Sequence, residues 1–183
     1  MDKPINIILV GFMGSGKTTT GKELARFLGY GFMDLDLMVE EACGMNVQQI
    51  FKDKGEKYFR EKESAAIELI RGKKNQIVST GGGVWQNPEN RRKLMETGFC
   101  IWLKVSPEKA LERIESHLAQ RPLLASSTNP LKTTAHLLME REIDYSKAPM
   151  MVNTDDKTPK QVTREIVDRL KKEKSFDLRT MQE

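Results

Sequence analysis

Eight residues near the N-terminus, Gly11-Phe12-Met13-Gly14-Ser15-Gly16-Lys17-Thr18, have the spacing G-x(4)-G-K-[ST]. Glycines in such a run let successive backbone N–H groups turn inward around phosphate oxygens. A helix starting just after them adds positive potential. Lys17 is placed to reach β- and γ-phosphates, and the Thr18 hydroxyl to ligate Mg2+. Gly14, Ser15, Gly16, Lys17, Thr18 and Thr19 are therefore the candidate nucleotide-binding residues. The bland alternative is a glycine-rich turn, and a chance match somewhere in a chain of this length has odds of roughly one in a hundred. The flanks lower those odds. Ile5 to Val10 is a β-branched, apolar run suited to a strand buried on both faces, and Thr18 to Leu28 has helical spacing.

The chain lacks the Asn-Lys-x-Asp loop with which GTPases read guanine. The strand Gln76 to Ser79 runs into Gly81-Gly82-Gly83 with no carboxylate at its end, unlike motor and transport ATPases. Both absences point to a small-molecule kinase that takes its acids from elsewhere. Asp34 and Asp36 are the candidates. They lie between a short strand and a helix, where ligands bind in open α/β folds. One could serve Mg2+ and the other accept the proton of an acceptor hydroxyl. Two helix-capping aspartates would look the same. The glycine triplet follows a strand and could aim backbone N–H groups at the same cleft, or simply end the strand. Trp85, just beyond it, is a candidate for lining the cleft.

Arg60 has Glu56 and Glu63 at i−4 and i+3, and Arg141 has Glu140 and Glu142 beside it. Spacing alone favours surface ion pairs for both. Arg121-Pro122-Leu123-Leu124 falls in the one long stretch without a clean period, about residues 118–134. Such stretches are usually functional or disordered. In a kinase this one would be a lid, and its arginine could neutralise charge on the transferring phosphoryl group.

The elements that must position these residues alternate. Strands are expected at Ile5–Val10, Gly31–Asp34, Gln76–Ser79, Phe99–Val105 and Met150–Val152. Helices fall between them, broken at Gly29, Gly44, Gly55 and Gly98 and opened by Pro88, Pro107 and Pro159. Helix is expected again from Ala135 to Tyr145. This order predicts an α/β, P-loop NTPase-like three-layer fold: a parallel five-stranded sheet, helices on both faces and a lid segment. With 183 residues the chain suits a single domain. Its parts would be an acceptor-binding helical region at about 35–71, the lid, and a polar tail at 171–183. Thirty basic against 26 acidic residues give a net charge of +4, too little to argue for nucleic acid. Two distant cysteines and two histidines leave little material for a redox or His-metal centre. No apolar run is long enough for a membrane span or a leader, so a cytoplasmic protein is expected.

Taken together, the motifs resemble the shikimate kinase family from about Ile5 to Leu170. The family's GxxGxGK[ST] loop, with Met before its second glycine, is matched by Gly11 to Thr18, and its D-x-D by Asp34 and Asp36. The pattern I-F-x(3)-G-E-x-x-F-R-x-x-E is matched by Ile50-Phe51, Gly55-Glu56, Phe59-Arg60 and Glu63. Gly81 to Gly83, Arg121 to Leu124, and Arg141 with Tyr145 match the triplet, the RPLL lid and the R-x-x-x-Y helix. The resemblance implies ATP-dependent phosphorylation of the 3-hydroxyl of shikimate, toward chorismate and aromatic amino acids. It assigns Lys17, Asp36 and Arg121 to catalysis, and Thr18 with Asp34 to one Mg2+ per subunit. It assigns Asp36, Arg60, Gly81, Gly82, Gly83 and Arg141 to the acceptor. Arg113, Arg121, Lys157 and Pro159 join the ATP site. Where many members carry a basic pair, this chain has Asp155-Asp156-Lys157. The expected partners are ATP and shikimate alone, with neither nucleic acid nor membrane, and the expected state is a monomer. Gluconate kinase, which shares the loop and the acidic pair, is the nearest alternative. A non-catalytic nucleotide-binding regulator is the alternative of a different class.

Overall fold

The computed structural model describes residues 6–115, 124 and 127–173. Five parallel strands form one sheet in the order β2-β3-β1-β4-β5. They are β1 (Asn6–Val10), β2 (Gly31–Asp34), β3 (Gln76–Ser79), β4 (Gly98–Lys104) and β5 (Met150–Asn153). The helices are α1 (Lys17–Leu28), α2 (Leu35–Cys43), α3 (Val47–Ile70), α4 (Pro88–Thr97), α5 (Pro107–Ile114), α6 (Pro130–Tyr145) and α7 (Pro159–Leu170).

Strand side chains alternate between faces, so an apolar run needs cover on both. Ile7 and Leu9 of β1 pack beneath α1 and α7 with Leu24, Val162 and Ile166. Ile8 and Val10 face the opposite layer, with Phe59, Ile67, Leu94 and Tyr145. The expected three-layer α/β architecture is thus present. Because the strands are all parallel, each of them ends at the same, C-terminal edge of the sheet. The segments following all five strands therefore meet there, and they carry nearly every candidate residue.

Helix starts follow local chemistry. Asn87, Ser106 and Thr158 each accept a backbone N–H in the first turn, and a proline follows each. The same device opens α6, where the Asn129 side chain accepts from Lys132 N ahead of Pro130. The helix therefore begins five residues before Ala135, inside the stretch expected to be irregular. Periodicity missed this because α6 is only weakly amphipathic. Gly55 separates two helical runs as expected: its backbone is non-helical at φ +83°, and α3 is kinked there. Arg121 and most of the expected lid lie outside the described residues, as does the tail beyond Glu173. Among the described residues no helix is long and apolar enough to cross a membrane.

Candidate active site

The loop between β1 and α1 folds over its own lysine. Lys17 Nζ donates to the carbonyls of Gly11 and Phe12 at 2.9 and 2.8 Å. Gly14 has φ +76°, and a Cβ there would stand 2.6 Å from the Ala110 carbonyl oxygen. Backbone conformation and the close approach of α5 both require glycine. Gly14 to Thr20 line a cleft of about 390 Å3 together with Asp34, Asp36, Gly82, Arg113, Lys157 and Pro159.

Asp34 both caps a helix and reaches the P-loop. Its Oδ1 accepts from Asp36 N and caps α2, while its Oδ2 accepts from the Thr18 hydroxyl at 2.8 Å. Asp36 is not the cap. It stands in the first turn of α2, half-buried, on the cleft wall. Ser79 was missed. It ends β3 beside β1, where many P-loop proteins carry their acid, and its Oγ lies 3.4 Å from Thr18 Oγ1. In the β2–β3 register Asp34 pairs with Ser79. The carboxylate therefore comes from one strand further out. The missing acid after Gln76–Ser79 was the only signal.

Among the described residues no cluster of three or more His, Cys, Asp or Glu could hold a metal alone. Thr18 with Asp34 nonetheless fits Mg2+, which takes one or two protein oxygens, keeps several waters and borrows phosphate oxygens.

Gly81 and Gly83 make room for different groups, a Cβ on Gly82 would make only ordinary contacts, and none of the three has a positive φ. A Cβ on Gly81 would meet Glu63 Oε1 at 2.4 Å and Asp36 Oδ1 at 2.6 Å. One on Gly83 would meet Arg60 Nη1 at 2.5 Å. The Gly82 carbonyl accepts from Arg141 Nη1 at 3.3 Å and from the Tyr145 hydroxyl. Arg60 and Arg141, on α3 and α6, are thereby drawn to one loop.

The two arginines depart from the surface-pair expectation differently. Arg60 does hold Glu56 and Glu63. Glu56 is about half-exposed, but Glu63 is only 1% exposed. Arg141 has no ion pair among the described residues, and its guanidinium lies over the Phe12 ring, 5.6 Å from the centroid. Glu142 pairs with Lys104, and Glu140 faces His136.

Burial pushes the Glu63 carboxyl up to about 7. Arg60 opposes the shift, and the charges of Asp36 and Glu56 add to it. Oε1 has no hydrogen-bond partner. A raised carboxyl means that the folded protein binds more protons than the unfolded chain between about pH 4.5 and 7. The resulting stabilisation is complete below pH 4.5 and lost as pH rises through 7. It amounts to roughly 3 kcal/mol at most. Glu63→Gln should flatten this part of the stability profile. Urea unfolding at pH 5 and pH 8 checks it, and parallel profiles for variant and wild type would refute it.

Elsewhere on the cleft wall, Arg113 donates to the Gly14 carbonyl at 3.2 Å and to Thr154 Oγ1 and O at 3.1 and 2.6 Å. Thr154, the second residue missed, fixes that guanidinium. Asp155 accepts from Ser106 N, and Asp156 pairs with Lys109. The acidic pair thus ties the loop after β5 to the start of α5. Lys157 lines the cleft, yet its ammonium donates to Asn153 O and Glu165. Trp85 does not line the cleft. It is fully buried, with its indole N–H on the Asp144 carbonyl at 2.8 Å.

The shikimate kinase family model matches residues 13–171. The chain belongs to the shikimate kinase family. A shikimate kinase of Persephonella marina is 43% identical over 91% of this chain and 99% of its own length. Among solved structures, a shikimate kinase from Acinetobacter baumannii in complex with shikimate matches with a TM-score of 0.88. It is 32% identical, over 93% of this chain and 94% of that one. A gluconokinase of Sinorhizobium meliloti covers 94% of both chains but is only 17% identical, with a TM-score of 0.54. It shares the fold alone.

Proposed function

We propose that this shikimate kinase performs its reaction with the residues gathered at the sheet edge. One observation carries the reading: a single cleft joins the P-loop to Asp36 and Gly82, and both arginines reach that same glycine loop. ATP lies along Gly14 to Thr19, with its base between Arg113 and Pro159. Lys157 acts there by holding the loop after β5, and its ammonium stays on Glu165. Lys17 leaves the Gly11 and Phe12 carbonyls for the β- and γ-phosphates. One Mg2+, held by Thr18 with Asp34 behind it, supplies charge neutralisation on the phosphates when bound.

Arg60 and Arg141 grip the shikimate carboxylate, and Gly81, Gly82 and Gly83 form the floor beneath the ring. Asp36 accepts the proton of the 3-hydroxyl. That oxygen forms the new bond to the γ-phosphorus as the bond to the β-bridging oxygen breaks, leaving ADP and shikimate 3-phosphate. Arg121, outside the described residues, is assigned to the charge of the transferring group. The chain acts as a single kinase domain, a monomer in the cytoplasm. A coupled assay of ADP release tests the reading. Turnover is expected with shikimate, at least about a hundredfold above gluconate in kcat/KM, because gluconate's carboxylate sits on a flexible chain. Equal turnover would favour the sugar-acid kinase alternative. No turnover with either acceptor would favour the regulator.

A further inference from the structure

The last turn of α6 is pinned by groups that do not touch the cleft. Arg91, on α4, uses one nitrogen twice: Nη1 donates to the Trp85 carbonyl at 3.0 Å and to Asp144 Oδ1 at 2.9 Å. The ion pair is largely sheltered, with side-chain exposures of 13% for Arg91 and 25% for Asp144. The Trp85 indole closes the ring by donating to the Asp144 carbonyl. One residue on, Tyr145 is fully buried, stacks near Trp102 at 5.9 Å and donates to Gly82 O. Arg141 stands one helical turn earlier and reaches the same carbonyl. The short 3-10 helix holding Trp85 (Val84–Gln86) directly follows the glycine triplet.

We propose that Arg91 is a positioning residue for Arg141, setting the place of its guanidinium by locking the end of α6 to the segment that follows the glycine triplet. The physical reason is leverage. Arg141 is attached to the cleft loop through one 3.3 Å hydrogen bond and the face of Phe12. Its backbone position is set instead by the helix end, where Arg91, Trp85 and Tyr145 join three separate segments. A shift of about 1 Å there suffices to misplace a carboxylate-binding fork. Asp144 also pairs with Lys147, so losing Arg91 does not leave it without a cation.

The inference rests on Arg141 being an acceptor-binding residue, and the experiment separates the two. Arg91→Met keeps the apolar stem and removes the donor. It should raise KM for shikimate about 3- to 30-fold and leave kcat and KM for ATP within about twofold. Because one nitrogen makes both contacts, Arg91→Lys should restore most of the loss. On an Arg141→Lys background, Arg91→Met should add less than about a twofold loss, since the group it positions is already compromised. Asp144→Ala, which removes the acceptor of Arg91 and leaves the backbone carbonyl that holds Trp85, should show the same selective rise in KM and serves if Arg91→Met folds poorly. A fall in thermal stability with unchanged KM, equal losses for both substrates, or additive losses on the Arg141→Lys background would each overturn the proposal. If Arg141→Lys itself changes nothing, the reading of Arg141 fails first. If Arg141→Lys is impaired and Arg91→Met is not, only the positioning role fails.

Discussion

Asp36→Asn is expected to lower kcat for shikimate by about 10²- to 10⁴-fold, the usual worth of a positioned general base, while the Kd for ATP stays within about twofold. Asparagine has the shape of aspartate and can still accept a hydrogen bond, but it cannot take up a proton. The side chain's place is set by α2 and by Asp34, whose Oδ1 accepts from Asp36 N, and that bond does not depend on the carboxylate of residue 36. Gly81 keeps the space in front of it open. The variant should therefore fold and bind nucleotide as before. Lys17→Ala should fail differently. Lys17 is about nine-tenths buried and its ammonium lies on the loop carbonyls, so its loss removes the charge that meets the β- and γ-phosphates. ATP affinity and the chemical step should both fall. Single-turnover kinetics with a separate nucleotide titration tells the two apart. Near wild-type turnover of shikimate by Asp36→Asn would remove Asp36 from proton transfer.

Arg60→Lys and Arg141→Lys should each reduce kcat/KM for shikimate by roughly 10- to 150-fold, the equivalent of about 1.5–3 kcal/mol for a charged hydrogen-bonded contact in a closed site. An exposed ion pair is worth roughly 0–1 kcal/mol, and lysine would preserve most of it. A planar fork holding a carboxylate cannot be replaced by an ammonium. The geometry argues for the fork. Arg60 packs against Gly83, with a nearly fully buried Glu63 behind it, and Arg141 rests on Phe12 with one nitrogen on Gly82. For Arg60 the variant also weakens the hold on Glu63, so a small fall in stability should accompany the kinetic loss. Arg141 has no such partner among the described residues, and its variant should lose kcat/KM with little change in stability. An acceptor with an amide in place of the carboxylate should shrink the losses, because the forks then have no anion to hold. Changes under twofold for both variants would return the arginines to a structural role.

What the sequence by itself determined is the chemistry that depends on neighbours along the chain. The P-loop is legible because its glycines, Lys17 and Thr18 act within eight residues, between a strand and a helix whose patterns are also local. The sheet is legible because β1 is apolar at every position but one and the elements alternate. Helix starts are legible where a capping side chain and a proline sit side by side, and Asn129-Pro130 shows that this signal outlasts a weak apolar period. Tertiary structure decided which charges are buried and which distant groups meet. Spacing placed Glu56 and Glu63 equally on either side of Arg60, and only the packing of α3 against the glycine triplet buried one and left the other half-exposed. Spacing likewise offered Glu140 and Glu142 to Arg141, and the fold sent them to His136 and Lys104. Ser79 beside Thr18, Asp155 on the start of α5, and Trp85 turned away from the cleft all follow from strand order and helix docking. A local pattern records only i, i+2 or i, i+4 neighbours. Contacts between residues such as Arg91 and Asp144 arise when separate segments pack, and nothing periodic in either segment announces them.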